Sequence, residues 1–124
     1  MSKKHVLIVD DDPRNIFALR ATLNAIGYDC TAFSDAEEAL AFLNGNDFVD
    51  IILTDMMMPG MDGYTAIPLM RKIEARKGIP IIAVTAQAMT GDREKCLSVG
   101  AFDYISKPID VDKLIHILDK YITA

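Results

Sequence analysis

The sequence predicts a doubly wound α/β domain, a parallel sheet with helices on both faces. Two observations predict it. Short apolar runs alternate five times with longer segments of helical period, each long enough to carry a right-handed parallel crossover. Several of those runs stop abruptly at polar residues, as buried parallel strands do at their carboxyl ends.

His5-Val6-Leu7-Ile8-Val9 is a continuous apolar run ending at three aspartates, the pattern of a central strand buried on both faces. Asp12 as N-cap and Pro13 at the first helical position open a helix that runs to about Ile26, where Gly27 stops it. Leu19, Leu23 and Ile26 share one face of that helix, and Phe17 points away from it. Tyr28 to Phe33 reads as the second strand. Ser34 with Glu37 three residues on forms a capping box, which starts a helix ending near Asn44 and Gly45. Ile51 to Thr54 is the third strand and runs into Asp55. A loop with Pro59, Gly60 and Gly63 leads to a third helix that ends before Gly78. Pro68 lies inside that helix and predicts either a kink or a late start near Ile67.

Pro80 to Thr85 is the fourth strand, with proline at its tolerated first position. A polar helix follows from about Thr90 to Val99, and Gly100 stops it. Phe102 to Ser106 is a short fifth strand. Asp110 caps the last helix, in which Val111, Leu114, Ile115, Leu118, Tyr121 and Ile122 form an apolar stripe.

A chain of 124 residues with 51% apolar content fits one domain, residues 1–124, with a core large enough to fold without staples. The net charge of −5 and scattered lysines and arginines argue against nucleic acid or an anionic membrane as partner. No signal peptide and no membrane span are apparent, so a cytoplasmic setting is expected. Cys30 and Cys96 match no metal or redox spacing and read as two free buried thiols.

The polar residues just past the strands gather at one sheet edge. Asp10, Asp11 and Asp55 would crowd there with Thr85 and Lys107. Crowded carboxylates need a cation or proton, which implies a hard metal such as magnesium, and the lysine and threonine suit a phosphoryl group.

Taken in order, Asp10-Asp11, Asp55, Met58-Pro59-Gly60-Met61-Asp62-Gly63, Thr85-Ala86 and Lys107-Pro108 resemble the receiver domain of two-component response regulators, over nearly the whole chain. The resemblance implies the flavodoxin-like strand order 2-1-3-4-5. It implies that Asp55 accepts a phosphoryl group from a phosphohistidine donor, with Mg2+ (Mn2+ as a substitute) on Asp10, Asp11, Asp55 and the backbone carbonyl of Met57. Lys107, with a cis bond to Pro108, and Thr85 would bind the phosphoryl oxygens. Thr85 and Tyr104 would then form a switch that remodels the surface of the fourth helix, fifth strand and last helix. Simple packing is an equal reading for Tyr104. Met57 and Gln87 would tune the acyl-phosphate lifetime, long to intermediate, with Met57 dominant because a thioether orients water poorly.

The implied partners are a histidine kinase or histidine phosphotransfer protein and a downstream protein target, with Phe17 a candidate docking contact or a residue packed on a neighbouring loop. The only catalysis expected is of its own phosphorylation and dephosphorylation. Because the chain ends after the fifth helix, a stand-alone receiver is expected. Residues 85–89 and 103–109 also resemble receivers of hybrid histidine kinases, and an excised kinase domain is the alternative origin. Two rivals fit less well. A magnesium-dependent aspartyl-phosphate phosphatase needs an Asp-x-Asp pair, met formally by Asp10 and Asp12, and a cap insertion that is absent. A flavin protein needs a phosphate loop that is not acidic.

Overall fold

A computed structural model describes residues 4–76, 78–86 and 91–122 of the chain, without the side chain of Ala75. The element order is β1 (His5–Val9), α1 (Pro13–Ala25), β2 (Asp29–Phe33), α2 (Ala36–Leu43), β3 (Ile51–Asp55), α3 (Gly63–Lys72), a 3-10 turn (Glu74–Arg76), β4 (Ile81–Thr85), α4 (Asp92–Ser98), β5 (Asp103–Ser106) and α5 (Val111–Tyr121). All four strand pairings are parallel and the order is β2-β1-β3-β4-β5, as the resemblance implied.

Strand residues alternate between two cores, which is the period of two in physical form. Leu7, Val9, Ile52, Ile81 and Ala83 pack under α2, α3 and α4, against Ala39, Leu43, Ile67, Met70 and Cys96. Val6, Ile8, Ile51, Leu53, Ile82 and Val84 pack under α1 and α5, against Leu19, Leu23, Leu114, Ile117 and Leu118. Because both faces of the sheet are covered, the central strands are apolar up to their carboxyl ends, and the sequence shows runs rather than alternation.

Helix starts follow cap chemistry. Asp12 accepts from the Arg14 N–H at 2.9 Å with Pro13 at the first position of α1, and Asp110 accepts from Asp112 and Lys113 at the start of α5. The expected Ser34 capping box is not the one used. Asp35 caps α2, accepting from the Glu38 N–H at 2.8 Å. Both residues have the right chemistry, and the shift of one residue sets Ala36, Ala39 and Leu43 against the sheet. The late start expected for α3 is also corrected. Asp62 caps it at Gly63, with Thr65 N–H as donor at 2.9 Å, and Pro68 sits inside the helix. On α5 the buried positions are Leu114, Ile117 and Leu118, and Val111 is exposed. On α1, Ile26 is the C-cap and is exposed, beyond the buried Leu19 and Leu23. Cys30 is only half-buried, whereas Cys96 is fully buried, and both are free.

Two arginines hold the pole opposite the strands' carboxyl ends. Arg71 donates to the Gly100 carbonyl at 2.8 and 2.9 Å and to the Ile79 carbonyl at 2.6 Å, and stacks 4.6 Å over the Phe102 ring. It thereby ties α3 to the end of α4 and the approaches to β4 and β5. Buried Arg76 donates to the carbonyls of Leu43 and Gly45, closing the C-terminus of α2. Among the described residues, no helix is long and apolar enough to cross a membrane.

Candidate functional site

Strand register brings the sequence-predicted residues together. Val9 pairs with Thr54, so Asp10 and Asp55 emerge side by side, each one position later. Asp55 pairs with Val84 and Thr85 with Ser106, so Thr85 and Lys107 emerge next in line. The Lys107 N–H donates to the Thr85 carbonyl at 2.8 Å, which fixes the lysine at the end of β4. The chain turns one way from β1 to β2 and crosses back to β3, so the Asp10–Asp55 boundary is the topological switch point, where open α/β sheets form their crevice.

Asp10 and Asp55 are almost wholly buried, Asp11 is exposed, and one oxygen from each lies within 4.8 Å of the others. Lys107 Nζ bridges the two buried acids, 3.1 Å from Asp55 Oδ2 and 3.2 Å from Asp10 Oδ2. The other oxygen of each acid is held by backbone: the Met57 N–H donates to Asp55 Oδ1 at 3.1 Å, and the Asp12 N–H to Asp10 Oδ1 at 2.9 Å. The peptide bond from Lys107 to Pro108 is cis, as the resemblance implied.

The charges do not balance. One ammonium serves three carboxylates. Burial pushes the Asp55 carboxyl above its ordinary value, with Asp10 adding to the push; the Met57 amide and Lys107 pull against them without prevailing. Burial alone would lower Lys107, but the hydrogen bond to Asp55 and the charges of Asp10 and Asp55 outweigh it, and its pKa is raised. Burial raises Asp55 and the two neighbouring acids raise Lys107, and together these shifts describe a site short of positive charge.

The donor set answers what cation fits. Three carboxylates from two loop ends offer hard oxygen ligands and no nitrogen or sulfur, which suits magnesium. Their oxygens lie within 4.8 Å of one another, close enough that Asp10, Asp11 and Asp55 could hold one such ion. Asp12, which the formal Asp-x-Asp pair would make catalytic, is occupied as a helix cap and bonded to Arg14, which holds its carboxyl below the ordinary value.

Thr85 is buried beside this cluster, and Tyr104 is half-buried against the core under α2, α3 and α4. Gln87 lies outside the described residues, as does Thr90 at the expected start of α4. In α4 itself only Cys96 is buried, and its N-cap Gly91 has φ of 95° with no side-chain cap bond. Phe17 is 76% exposed on α1. A separate cleft of about 210 Å³, which Phe17 does not line, opens between α1 and the start of α5, lined by Asn15, Ala18, Thr22, Lys107, Pro108 and Ile109.

Gly63, read from the sequence as part of a loop and of the motif over residues 58–63, supports the acceptor through a contact the sequence did not show. A Cβ there would lie 2.5 Å from Met56 Sδ, 2.8 Å from Met56 Cα and 2.9 Å from the Asp55 carbonyl oxygen. The start of α3 thus presses directly on the backbone that carries Asp55, and the Gly63 N–H closes the loop onto the Met56 carbonyl at 3.1 Å. The glycine in Met58-Pro59-Gly60-Met61-Asp62-Gly63 was visible in sequence; the close approach was not.

The family model for the response regulator receiver domain matches residues 6–119. The chain is 39% identical over 128 residues to hybrid signal transduction histidine kinase I of Dictyostelium discoideum, covering 98% of this chain but 7% of that protein. Among solved structures it is similar to the receiver domain of sensor histidine kinase PA1611 from Pseudomonas aeruginosa PAO1, which has magnesium coordinated in its active-site cleft. The TM-score there is 0.90 and the identity 36%, over 99% of this chain and 100% of that one. It is also similar to the Saccharomyces cerevisiae receiver domain of Ssk1, solved in complex with the phosphotransfer protein Ypd1. That match has a TM-score of 0.86 and 25% identity, over 96% and 88% of the two chains.

Proposed function

We propose, from the premise that this chain belongs to the response regulator receiver domain family of two-component and phosphorelay systems, that it takes a phosphoryl group onto Asp55 from a phosphohistidine donor. The observation that carries the reading is the Asp10–Lys107–Asp55 bridge beside Asp11: a buried acid already aligned with a cation, in a site short of positive charge.

The chemistry follows from those positions. An Asp55 oxygen attacks phosphorus in line, the bond from phosphorus to the donor imidazole nitrogen breaks, and an acyl phosphate remains on Asp55. The Met57 amide orients the carboxylate through Oδ1, and Oδ2 faces Lys107. Lys107 exchanges its contact with Asp55 Oδ2 for a phosphoryl oxygen as that oxygen gains charge. Thr85 donates its hydroxyl to another oxygen, and its inward movement is relayed through Tyr104 to α4, β5 and α5. Asp10, Asp11, Asp55 and the Met57 carbonyl would hold magnesium, which when bound neutralises the acids and the incoming dianion. Manganese, with the same preference for oxygen ligands, would substitute.

Exposed Phe17 fits as a contact for the docking helices of a histidine kinase or phosphotransfer protein, in the cytoplasm. Phe17→Ala should slow transfer from such a donor and spare labelling by acetyl phosphate; equal losses with both would assign Phe17 to packing. The chain spans only 7% of the length of the Dictyostelium hybrid kinase it matches, so a receiver acting inside a longer hybrid kinase is a second reading of the same chemistry.

Intact mass after incubation with acetyl phosphate and magnesium tests the core of the proposal. One phosphoryl adduct that requires magnesium and is lost in Asp55→Asn is the expected result. An adduct that persists in Asp55→Asn would place the acceptor elsewhere.

A further inference from the structure

Three consecutive methionines follow the acceptor aspartate, and the fold treats them differently. Met56 and Met58 are buried, as is Met70 on α3, and Met61 is partly covered. Met57 is 54% exposed. Its backbone is also the one bonded to the acceptor, through the amide on Asp55 Oδ1 at 3.1 Å. An accessible thioether is therefore anchored one side-chain length from the carboxylate, at a position where the buried neighbours on either side are shielded.

We propose that Met57 is an oxidation site through which peroxide shortens the lifetime of the phosphorylated state; the proposal rests on the reading of Asp55 as phospho-acceptor. In the modification a sulfur lone pair attacks one oxygen of hydrogen peroxide. The O–O bond breaks as the S–O bond forms, sulfur is oxidised by two electrons, and the peroxide is reduced, with a proton transfer, to water. A thioether is a weak acceptor, whereas a sulfoxide oxygen accepts strongly from water. At Met57 it would hold a water beside the acyl phosphate, the molecule that hydrolysis needs. A sulfoxide reductase reverses the change, so the device is a switch rather than a lesion.

Exposure makes the site selective and attachment makes it consequential. Oxidation of Met56, Met58 or Met70 would have to open the core first. Met1 and Met89 lie outside the described residues, and site mapping separates them.

The test treats the folded chain with limited hydrogen peroxide and maps sulfoxides by peptide mass. Met57 should oxidise at least about tenfold faster than Met56, Met58 and Met70. Decay of the acetyl-phosphate-generated adduct is then followed before and after oxidation, and after treatment with a sulfoxide reductase. One added hydrogen bond to the attacking water corresponds to roughly a fivefold faster decay. The reductase should restore the original rate, and peroxide should leave the decay rate of Met57→Leu at that variant's own untreated value. Uniform oxidation of all methionines, an unchanged decay, or an equal acceleration in Met57→Leu would overturn the proposal while leaving Asp55 as acceptor. Failure of the untreated protein to form any adduct would overturn both.

Discussion

Replacing the acceptor should make the metal-free protein more stable. In Asp55→Asn the carboxylate becomes a neutral group of nearly the same shape, whose single oxygen can keep the Met57 N–H while Lys107 keeps Asp10. Lys107 at 3.1 Å attracts the native carboxylate by about 5 kcal/mol at an effective dielectric near 20. Asp10, with an oxygen within 4.8 Å, repels it by at least about 3.5 kcal/mol on the same scale; Asp11 repels by less because it is exposed. The charge terms nearly cancel, and the cost of burying the anion remains. Neutralising it should stabilise the fold by about 1–2 kcal/mol.

For a chain of 124 residues, with an unfolding entropy near 2.1 cal/mol/K per residue, that is a rise in melting temperature of about 4–8 °C. Differential scanning calorimetry in chelator at pH 7 measures it. The pH dependence carries a second signature. The native carboxyl is raised by burial, so its penalty is fully present above its folded pKa. The penalty fades as pH falls through that value towards the ordinary 3.8 of the unfolded chain. The advantage of Asp55→Asn should therefore shrink on acidification, and magnesium should shrink it at neutral pH by stabilising the native protein. A mutant equal to or less stable than the native chain in chelator at pH 7 would refute the charge imbalance on which the site was argued.

Three further outcomes are expected. Asp11→Ala should lower magnesium affinity at least about tenfold with little effect on melting, and Asp12→Ala should lower the melting temperature with magnesium-dependent labelling intact; titration calorimetry and thermal melts separate the ligand from the cap. Gly63→Ala should cost about 1–3 kcal/mol in urea unfolding and also slow acetyl-phosphate labelling, because the added methyl meets backbone on either side of the Asp55–Met56 peptide. Arg71→Ala should cost about 2–4 kcal/mol, and Arg71→Lys should recover little of it, since an ammonium cannot serve the Gly100 and Ile79 carbonyls while stacking on Phe102; hydrogen exchange should rise first at the end of α4.

The local code determined the elements and the contents of the site. Apolar runs bounded by aspartates, prolines and glycines placed five strands and five helices, because burial on both faces keeps the central strands apolar until their carboxyl ends. The residues just past those strands could then be assigned to one edge before any coordinates. What tertiary structure decided was which of two competent neighbours is used and what touches what. Ser34 and Asp35 can both cap α2; packing of Ala36, Ala39 and Leu43 on the sheet selected Asp35. Pro68 could have delayed α3, but the Asp62 cap starts the helix at Gly63, where it also supports the acceptor loop. Arg71 belongs to no motif and Gly63 only closes one, and the importance of both lies in contacts with residues far away in sequence or folded back across a loop. The sharing of Lys107 between Asp10 and Asp55 belongs to the same class. Sequence can supply three acids and one lysine, but only the parallel register of β1, β3, β4 and β5 puts one ammonium between two buried carboxylates and leaves the site wanting a cation.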